Sequence, residues 1–502
     1  MLWTLLLACL LVMASVGCGV RTQGEGEETS PPSDDDDSAD DDDSADDDDS
    51  ADDDDSADDD DSADDDDSAD DDDTGDDDDS ADDDDGDGDD DDSSDDGTAD
   101  VATCTGDYRI DDIDTTADMA AVAGCEVITG DLSIESTWLT DLDGLSSLVS
   151  VGGELLVEDN SVLAQVAGLS LLTTVGDSLR LEDNNALTDV DGLSALHSVG
   201  GDLFLWDNDI VTQVSGLSSL SSVGGYLEIY GNNSLTNLQG LSSLASVGGD
   251  LNVYDNYSLS NLDGMASLTW VGGALYVYDN DALISVDGMA NLTSVGGSLW
   301  VNDNEALTQV DGLTSLGSVG GDLEIDQNPV LVDLAGLSSL SSVAGHVLIR
   351  NNNLLPNLDD LSSLSSVGEF VSIASNDALA QVDGLSSLTS VAGYLDIGLN
   401  QVLSSVDGLS SLTSVGAGLH IHSNAALTDV DGLSSLTSTG GVEIASNGAL
   451  VNLAGLANLT FVGGDVSIFG NLSLCQSLVD AFIAACSACG AVGDSTGNDD
   501  GC

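Results

Sequence analysis

The sequence predicts a mainly β fold: a solenoid similar to a right-handed β-helix, with about 15 coils, preceded by a disordered acidic tether. The first observation is a unit of 24 residues that carries a Val-Gly-Gly signature. Its marker residue stands at Val151, Val175, Val199, Val223, Val247, Val271, Val295, Val319, Val343, Val367, Val391 and Val415, then at Thr439 in phase and at Val462 one residue early. The second observation is Leu-x-Leu/Ile-x-x-Asn in successive units, a pattern typical of stacked coils.

Residues 1–17 form a short apolar run that ends in small residues, as a secretory signal does. The following Ser15-Val16-Gly17-Cys18 resembles the lipobox of bacterial lipoproteins, although no Lys or Arg precedes the apolar run. The resemblance implies lipidation of Cys18 and export to the outer membrane or cell surface, with membrane contact through the lipid alone. The alternative is an ordinary signal peptide in which Cys18 is incidental.

The tether spans residues 18–100 and consists largely of Asp-Asp-Asp-Asp-Ser-Ala at a period of six. Between Pro31 and Asp100 it has no apolar residue larger than Ala, so it cannot bury enough surface to offset the entropy of ordering. Like charges at this density also extend a chain. We expect a solvated spacer, and the alternative is a stalk that collects cations.

The charge balance limits the classes of partner. The chain has 97 acidic residues against four Lys and Arg, for a formal net charge of −93. Binding to nucleic-acid phosphates depends on Lys and Arg, so we expect no nucleic-acid partner. Cationic ligands, divalent metals and neutral glycans remain open.

The folded part begins with an N-terminal cysteine cap, residues 101–127, which includes an amphipathic stretch from Ile113 to Val122. The run from Cys125 to Ile134 reads Cys-Glu-Val-Ile-Thr-Gly-Asp-Leu-Ser-Ile. Together with Cys104, this run resembles the receptor L domain, the leucine-rich-repeat relative of insulin- and EGF-type receptors. The resemblance implies a leucine-rich-repeat solenoid over residues 128–474 and a Cys104–Cys125 bridge, which suits an oxidising compartment.

One coil, taken from Val199, shows how the unit works. Leu203 and Leu205 alternate with Phe204 and Trp206, so the two pairs face opposite sides of a short strand. The positions that recur as apolar, and so form the core, are Val199, Leu203, Leu205, Val211, Val214, Leu217 and Leu220.

The turns are expected at the Val-Gly-Gly and Asp-Gly steps, where glycine would supply positive φ. The intervening Leu-Ser-Ser-Leu-Thr-Ser runs are short and rich in Ser and Thr, which predicts extended or turn-like backbone and few helices. The chain should therefore be closer to a β-helix than to a helix-backed horseshoe.

One polar position is as regular as the core. It is occupied by Asn160, Asn184, Asn208, Asn232, Asn256, Asn280, Asn304, Asn328, Asn352, Asn376, Asn400, Asn424, Asn447 and Asn471, with Thr137 in the first copy. A side-chain amide both donates and accepts, so this column is expected to satisfy backbone groups where the chain turns after the strand. Its predicted role is structural.

The array should close with a C-terminal cysteine-rich cap, residues 475–502, containing a short helix over Ser477 to Ala488. Cys475, Cys486, Cys489 and Cys502 allow three pairings that the sequence does not separate. Cys486 and Cys489 form a Cys-x-x-Cys, for which export favours a capping disulfide over a redox or zinc role. The ends of a solenoid need such caps, because an open terminal coil exposes apolar surface and unpaired strand edges.

A ligand surface is expected on the outward strand positions of five consecutive coils. Aromatic residues gather there: Phe204, Trp206, Tyr230, Tyr254, Tyr276, Tyr278 and Trp300. With coils about 4.8 Å apart the patch would extend about 20 Å and suit sugar rings, apolar side chains or a cationic group. The alternative is that these residues only reflect β-propensity and cross-strand pairing.

A column of aspartates in the Asp-Gly turns is a candidate calcium site. It comprises Asp143, Asp191, Asp263, Asp287, Asp311, Asp383, Asp407 and Asp431. Adjacent carboxylates repel, so the side chains either splay into solvent or hold a cation between them. His420 and His422 share one strand face and could begin a metal site, with Asp396 as a further ligand.

The sequence therefore predicts a monomeric, surface-anchored binding or adhesion protein whose partner is a glycan or a surface protein. No catalytic residue, no enzymatic activity and no cofactor other than calcium are expected, because near-identical copies offer no single differentiated cleft. One alternative is a structural or cation-buffering acidic coat protein that binds no partner. Another is a β-helix polysaccharide-degrading enzyme.

Overall fold

The computed structural model describes residues 101–486 and 488–502, which lie in one compact unit. The predicted signal peptide, Cys18 and the predicted tether lie outside the described residues. Within the described part, no helix is both long and apolar enough to cross a membrane.

Two parallel sheets of 16 strands each run along the solenoid. The narrow sheet has two-residue strands: Thr103–Cys104, Val127–Ile128, Ser150–Val151, Thr174–Val175, Ser198–Val199, Ser222–Val223, Ser246–Val247, Trp270–Val271, Ser294–Val295, Ser318–Val319, Ser342–Val343, Ser366–Val367, Ser390–Val391, Ser414–Val415, Ser438–Thr439 and Phe461–Val462. The wide sheet has longer strands: Tyr108–Ile110, Leu132–Glu135, Leu155–Glu158, Leu179–Glu182, Leu203–Trp206, Leu227–Tyr230, Leu251–Tyr254, Leu275–Tyr278, Leu299–Asn302, Leu323–Asp326, Val347–Arg350, Val371–Ala374, Leu395–Gly398, Leu419–His422, Val442–Ala445 and Val466–Phe469.

Successive coils pair in register, so each residue lies beside its counterpart in the next unit. Leu203 pairs with Leu227 in the wide sheet, and Ser222 pairs with Ser246 in the narrow sheet. The predicted fold class is thereby confirmed: the chain is a β-rich solenoid similar to leucine-rich repeats, with a period of 24 residues.

A single continuous core lies between the sheets. In the coil that begins at Val199, the seven residues predicted as apolar core are at most 3% exposed. Each Leu or Ile inside such a stack loses its contact with water and contributes roughly 1.5–3 kcal/mol relative to an exposed side chain. Because neighbouring coils bury the same positions, the core is shared along the whole array.

In most coils a short 3-10 turn lies between the wide-sheet strand and the next narrow-sheet strand, in agreement with the prediction of few helices. They are Asp143–Leu145, Ala167–Leu169, Asp191–Leu193, Ser215–Leu217, Gln239–Leu241, Asp287–Met289, Asp311–Leu313, Ala335–Leu337, Asp359–Leu361, Asp383–Leu385, Asp407–Leu409, Asp431–Leu433 and Ala454–Leu456. The serines that follow also bond between coils: the Ser243 hydroxyl donates to the Ser218 carbonyl at 2.7 Å. The Ser-rich runs therefore satisfy backbone carbonyls.

The predicted reason for the turn glycines, positive φ, holds at Gly264 of the Asp263-Gly264 step and is wrong for the Val-Gly-Gly steps and the other Asp-Gly steps. Positive φ belongs mainly to the residue just before the Asn column, and not to the Val-Gly-Gly glycines: Ser136, Asp159, Asp183, Asp207, Asp255, Asp279, Asp303, Gln327, Asn351, Ser375, Leu399, Ser423 and Ser446, with Gly231 and Gly470 in the same place. Asp and Asn tolerate the left-handed region better than most residues.

Glycine is instead selected by the close approach of neighbouring coils. A Cβ on Gly224 would lie 2.0 Å from the carbonyl oxygen of Gly200, and one on Gly240 would lie 1.7 Å from that of Val214. Both separations are far below van der Waals contact, so a side chain there requires the coils to shift.

The Asn column lies fully inside the turn, 0–2% exposed. The Asn208 side chain donates to the carbonyls of Leu181 and Trp206 at 2.8 and 2.9 Å, and its oxygen accepts the backbone N–H of Asn184 at 3.2 Å. Asn498 extends the column beyond the repeats, since its oxygen accepts the Asn471 N–H at 3.1 Å.

Both ends of the solenoid are covered. At the start a helix spans Thr115–Val122, and Cys104 is bonded to Cys125. At the end a helix spans Gln476–Ala485, and the disulfides are Cys475–Cys502 and Cys486–Cys489. Three disulfides in the described residues are typical of a protein from an oxidising, extracellular-type compartment.

Candidate ligand-binding surface

The wide sheet positions the candidate residues. In each four-residue strand the first and third side chains enter the core, so the second and fourth face outward. The seven predicted aromatic residues occupy these outward positions and are half-buried against one another. We call this set, Phe204, Trp206, Tyr230, Tyr254, Tyr276, Tyr278 and Trp300, the aromatic surface.

The rings of the aromatic surface form columns because the coils are in register. Tyr230, Tyr254 and Tyr278 stack with centroids 4.7 Å apart at both steps, and their planes are 30° and 11° from parallel. Tyr276 and Trp300 stand 4.6 Å apart in the second column. The faces of these three rings therefore partly cover one another, and the Tyr254 hydroxyl is turned toward Glu228, to which it donates a hydrogen bond.

The end of the surface nearest the N-terminus is covered by a cation. The Arg180 guanidinium lies 5.0 Å from the centroid of the Phe204 ring and 5.5 Å from that of Trp206. Its Nε also donates to Glu182 at 2.7 Å. Arg180 thus connects the aromatic rings to the acidic coils that precede them.

The tyrosine hydroxyls are neutral hydrogen-bonding groups at any physiological pH. Burial and a hydrogen bond to Glu228 raise the pKa of Tyr254, whose hydroxyl donates to that carboxylate. Burial and the nearby Glu228 charge raise the pKa of Tyr278 to about 12. Burial likewise raises the pKa of Asp207 and of Asp279 at the rim.

Two buried donors on the aromatic surface have no acceptor among the described residues. They are the indole Nε1 atoms of Trp206 and Trp300. Buried polar groups in folded proteins normally find a partner. These two N–H groups are therefore not used by the fold itself.

The sequence analysis did not predict a further aromatic column, which lies outside the aromatic surface. His346, Phe370 and Tyr394 precede their strands by one residue and stack at 4.3 and 4.4 Å, with planes within 10° of parallel. His420 continues the column at 6.0 Å from Tyr394. The spacing of 24 residues between His346, Phe370 and Tyr394 was a usable signal, at a position where most other coils have a small or acidic residue.

His422 belongs to an ion-pair network and not to a group of three ligands. Its Nε2 lies 3.1 Å from Asp396, which accepts the Ser372 hydroxyl at 2.9 Å; that hydroxyl in turn accepts from Arg350 at 2.7 Å. The hydrogen bond to Asp396 raises the pKa of His422 although burial opposes it. Burial would raise the pKa of Asp396, but His422 and Ser372 together lower it.

The predicted aspartate column lies outside the wide sheet, on the segment between the Asn column and the next narrow-sheet strand. Asp263, Asp287, Asp383, Asp407 and Asp431 are exposed, and Asp311 is half-buried. Some of these carboxylates bond to the next coil, as Asp191 does with the Ser215 hydroxyl at 2.6 Å. Calcium binding by this column stays a prediction.

No protein-family model matches the chain. No curated protein matches it either. Among solved structures, it is similar to an internalin from Listeria monocytogenes, at 18% identity over 70% of this chain and 88% of the internalin, with a TM-score of 0.33. It is also similar to the receptor in the TLR13–ssRNA13 complex, at 14% identity over 73% of this chain and 77% of that one, with a TM-score of 0.20.

Proposed function

We propose that this protein is a cell-surface binding or adhesion protein that recognises a partner protein through the aromatic surface. The observation that carries the proposal is the grouping of seven aromatic side chains on the outward face of five successive coils. The core is complete without them, since the inward residues of the same strands are buried. Half-buried aromatic patches of this kind supply much of the energy of protein interfaces.

The orientation of the rings favours a protein over a sugar. Sugars stack on free aromatic faces, whereas the faces of Tyr230, Tyr254 and Tyr278 are covered by one another. The partly exposed rings and the carboxylates beside them, such as Asp207 and Asp279, suit the side chains and N–H groups of a polypeptide. The acidic rim favours a partner that is neutral or basic.

The test replaces Trp206, Tyr254, Tyr276 and Trp300 by Ala together. We expect the variant to lose adhesion to cells and to fold normally, because the core residues are unchanged. The matched control replaces Trp138, Trp270 and Phe461, exposed aromatics outside the aromatic surface, and should adhere like the wild type. A glycan array run with the same proteins detects the sugar-binding alternative.

Unchanged adhesion in the four-residue variant would contradict the proposal. Absence of both adhesion and glycan binding in the wild type would favour the acidic coat protein.

We further propose that lipid on Cys18 anchors the protein and that residues 18–100 hold the solenoid away from the membrane. Replacing Cys18 by Ser should move the protein from the membrane fraction to the soluble fraction, and retention in the membrane fraction would contradict the anchor.

A further inference from the structure

Two departures from the repeat occur in adjacent coils. Glu369 stands where most coils have the second glycine of Val-Gly-Gly, and His346 stands one residue before its strand, where Asp322 stands in the preceding coil. Register stacking brings all three residues together at one edge of the wide sheet. The repeat itself does not require either Glu369 or His346, so their meeting needs a separate explanation.

The geometry at this edge is that of a small ligand set. The His346 Nδ1 lies 2.9 Å from Asp322 Oδ1, and one ligand atom each from Asp322, His346 and Glu369 lie within 4.8 Å of one another. The other ring nitrogen, Nε2, lies 2.9 Å from Glu324 Oε1. The imidazole also stacks on Phe370 at 4.3 Å, which fixes the plane of the ring.

We propose that Asp322, His346 and Glu369 bind a divalent transition-metal ion of the Zn²⁺ type, with Glu324 as the outer carboxylate. A Zn²⁺ ion takes imidazole nitrogen and carboxylate oxygen at about 2.0–2.2 Å, which separates neighbouring ligand atoms by about 3.3 Å in a tetrahedron. The observed spacing needs only small side-chain movements. In the tautomer that donates Nε2–H to Glu324, the lone pair of Nδ1 is left for the ion, an arrangement common around protein-bound zinc.

Charge and donor type both support this choice. Three carboxylates surround one imidazole, and His346 is the only partner that Asp322 and Glu324 have among the ion pairs of the described residues. A bound divalent ion offsets the mutual repulsion of these carboxylates. Imidazole favours zinc-like metals over Ca²⁺ and Mg²⁺, which prefer oxygen ligands alone. The exposed side of Glu369 leaves room for a water as the fourth ligand.

The experiment is a calorimetric titration of the full-length protein with Zn²⁺ in a large excess of Mg²⁺, which competes for sites made only of carboxylates, including the Asp-rich segment. We expect one tight Zn²⁺ site per chain. His346→Ala and Glu369→Gly should each weaken this site at least about tenfold. Glu369→Gly restores the residue that most coils use here, so the fold should be unaffected, and circular dichroism checks this.

The matched control is His420→Ala, which removes a histidine from the same aromatic column but leaves the proposed ligands in place; it should bind Zn²⁺ like the wild type. Two results would overturn the proposal: no Zn²⁺ site that survives the Mg²⁺ excess, or equal affinity in wild type, His346→Ala and Glu369→Gly. Neither result bears on adhesion through the aromatic surface, so the two proposals fail separately.

Discussion

At the scale of single residues, the buried Asn column shows how one amide can serve three coils. The Asn304 side chain donates to the carbonyl of Val277 at 3.0 Å and accepts the backbone N–H of Asn280 at 3.2 Å. The same side chain also donates to the side-chain oxygen of Asn328 in the next coil at 3.4 Å, and that oxygen accepts the Asn304 backbone N–H at 3.2 Å. The column was visible in the sequence because each buried turn needs the same hydrogen bonds, and the same residue, Asn, therefore recurs in each coil.

We expect Asn304→Leu to lower the free energy of unfolding by about 1–3 kcal/mol, because buried backbone groups on adjacent coils lose their partners. The control is Glu305→Leu, which changes the exposed neighbour and should alter stability by less than about 0.5 kcal/mol. Urea unfolding followed by circular dichroism measures both. Equal stability of the two variants would show that the amide is not needed.

The His422–Asp396 pair predicts a pH-dependent contribution to stability. Asp396 has a lowered pKa, so its contribution is present above about pH 4, the unfolded value, and is lost as pH falls through the folded pKa. His422 has a raised pKa, so its contribution is complete below about pH 6.5 and is lost as pH rises through the folded pKa. The pair is therefore strongest between these limits.

The measurement compares thermal midpoints of wild type and His422→Gln from acidic to alkaline pH. Gln keeps a hydrogen-bond donor but carries no charge. We expect the wild type to be more stable by roughly 1 kcal/mol near pH 5–6, with the difference shrinking at alkaline pH. His197→Gln, at an exposed site, is the control. A difference that grows with rising pH would contradict the ion pair.

At the scale of the coil, backbone contact between units decides where glycine is required. Sequence reasoning placed the turns correctly but gave the wrong cause, since φ cannot be read from residue type when Asp207 takes the left-handed conformation and Gly200 does not. The close approach of each glycine to a backbone carbonyl of the neighbouring coil is a property of the stack, so it could not be predicted from the sequence of one unit.

Gly240→Ala should therefore destabilise the protein by about 1–3 kcal/mol, because its Cβ would lie 1.7 Å from the carbonyl oxygen of Val214. Gly317→Ala is the matched control, since the nearest atom to its Cβ is 3.8 Å away, and it should be neutral or slightly stabilising. Thermal unfolding of the two variants measures the difference. Similar midpoints would mean that the coils can separate at little cost.

At the scale of the whole molecule, the period predicted most of the architecture and only part of the surface. The core and the aromatic surface follow from alternation within strands, which is a local property. The mutual stacking of the Tyr230, Tyr254 and Tyr278 rings, and the meeting of His346 with Glu369, depend on how coils rest on one another. Residues that depart from a repeat become informative only after the register is known.

Each proposal here rests on in-register stacking of the coils, which disulfide trapping tests most directly. Ser222 and Ser246 pair across adjacent coils of the narrow sheet, about 4.8 Å apart, a separation that a disulfide can bridge. We predict that Ser222→Cys with Ser246→Cys forms a bond under mild oxidation, identified by peptide mapping, and that Ser222→Cys with Ser294→Cys, three coils apart, does not. Failure of the first pair, or efficient bonding of the second, would contradict the account.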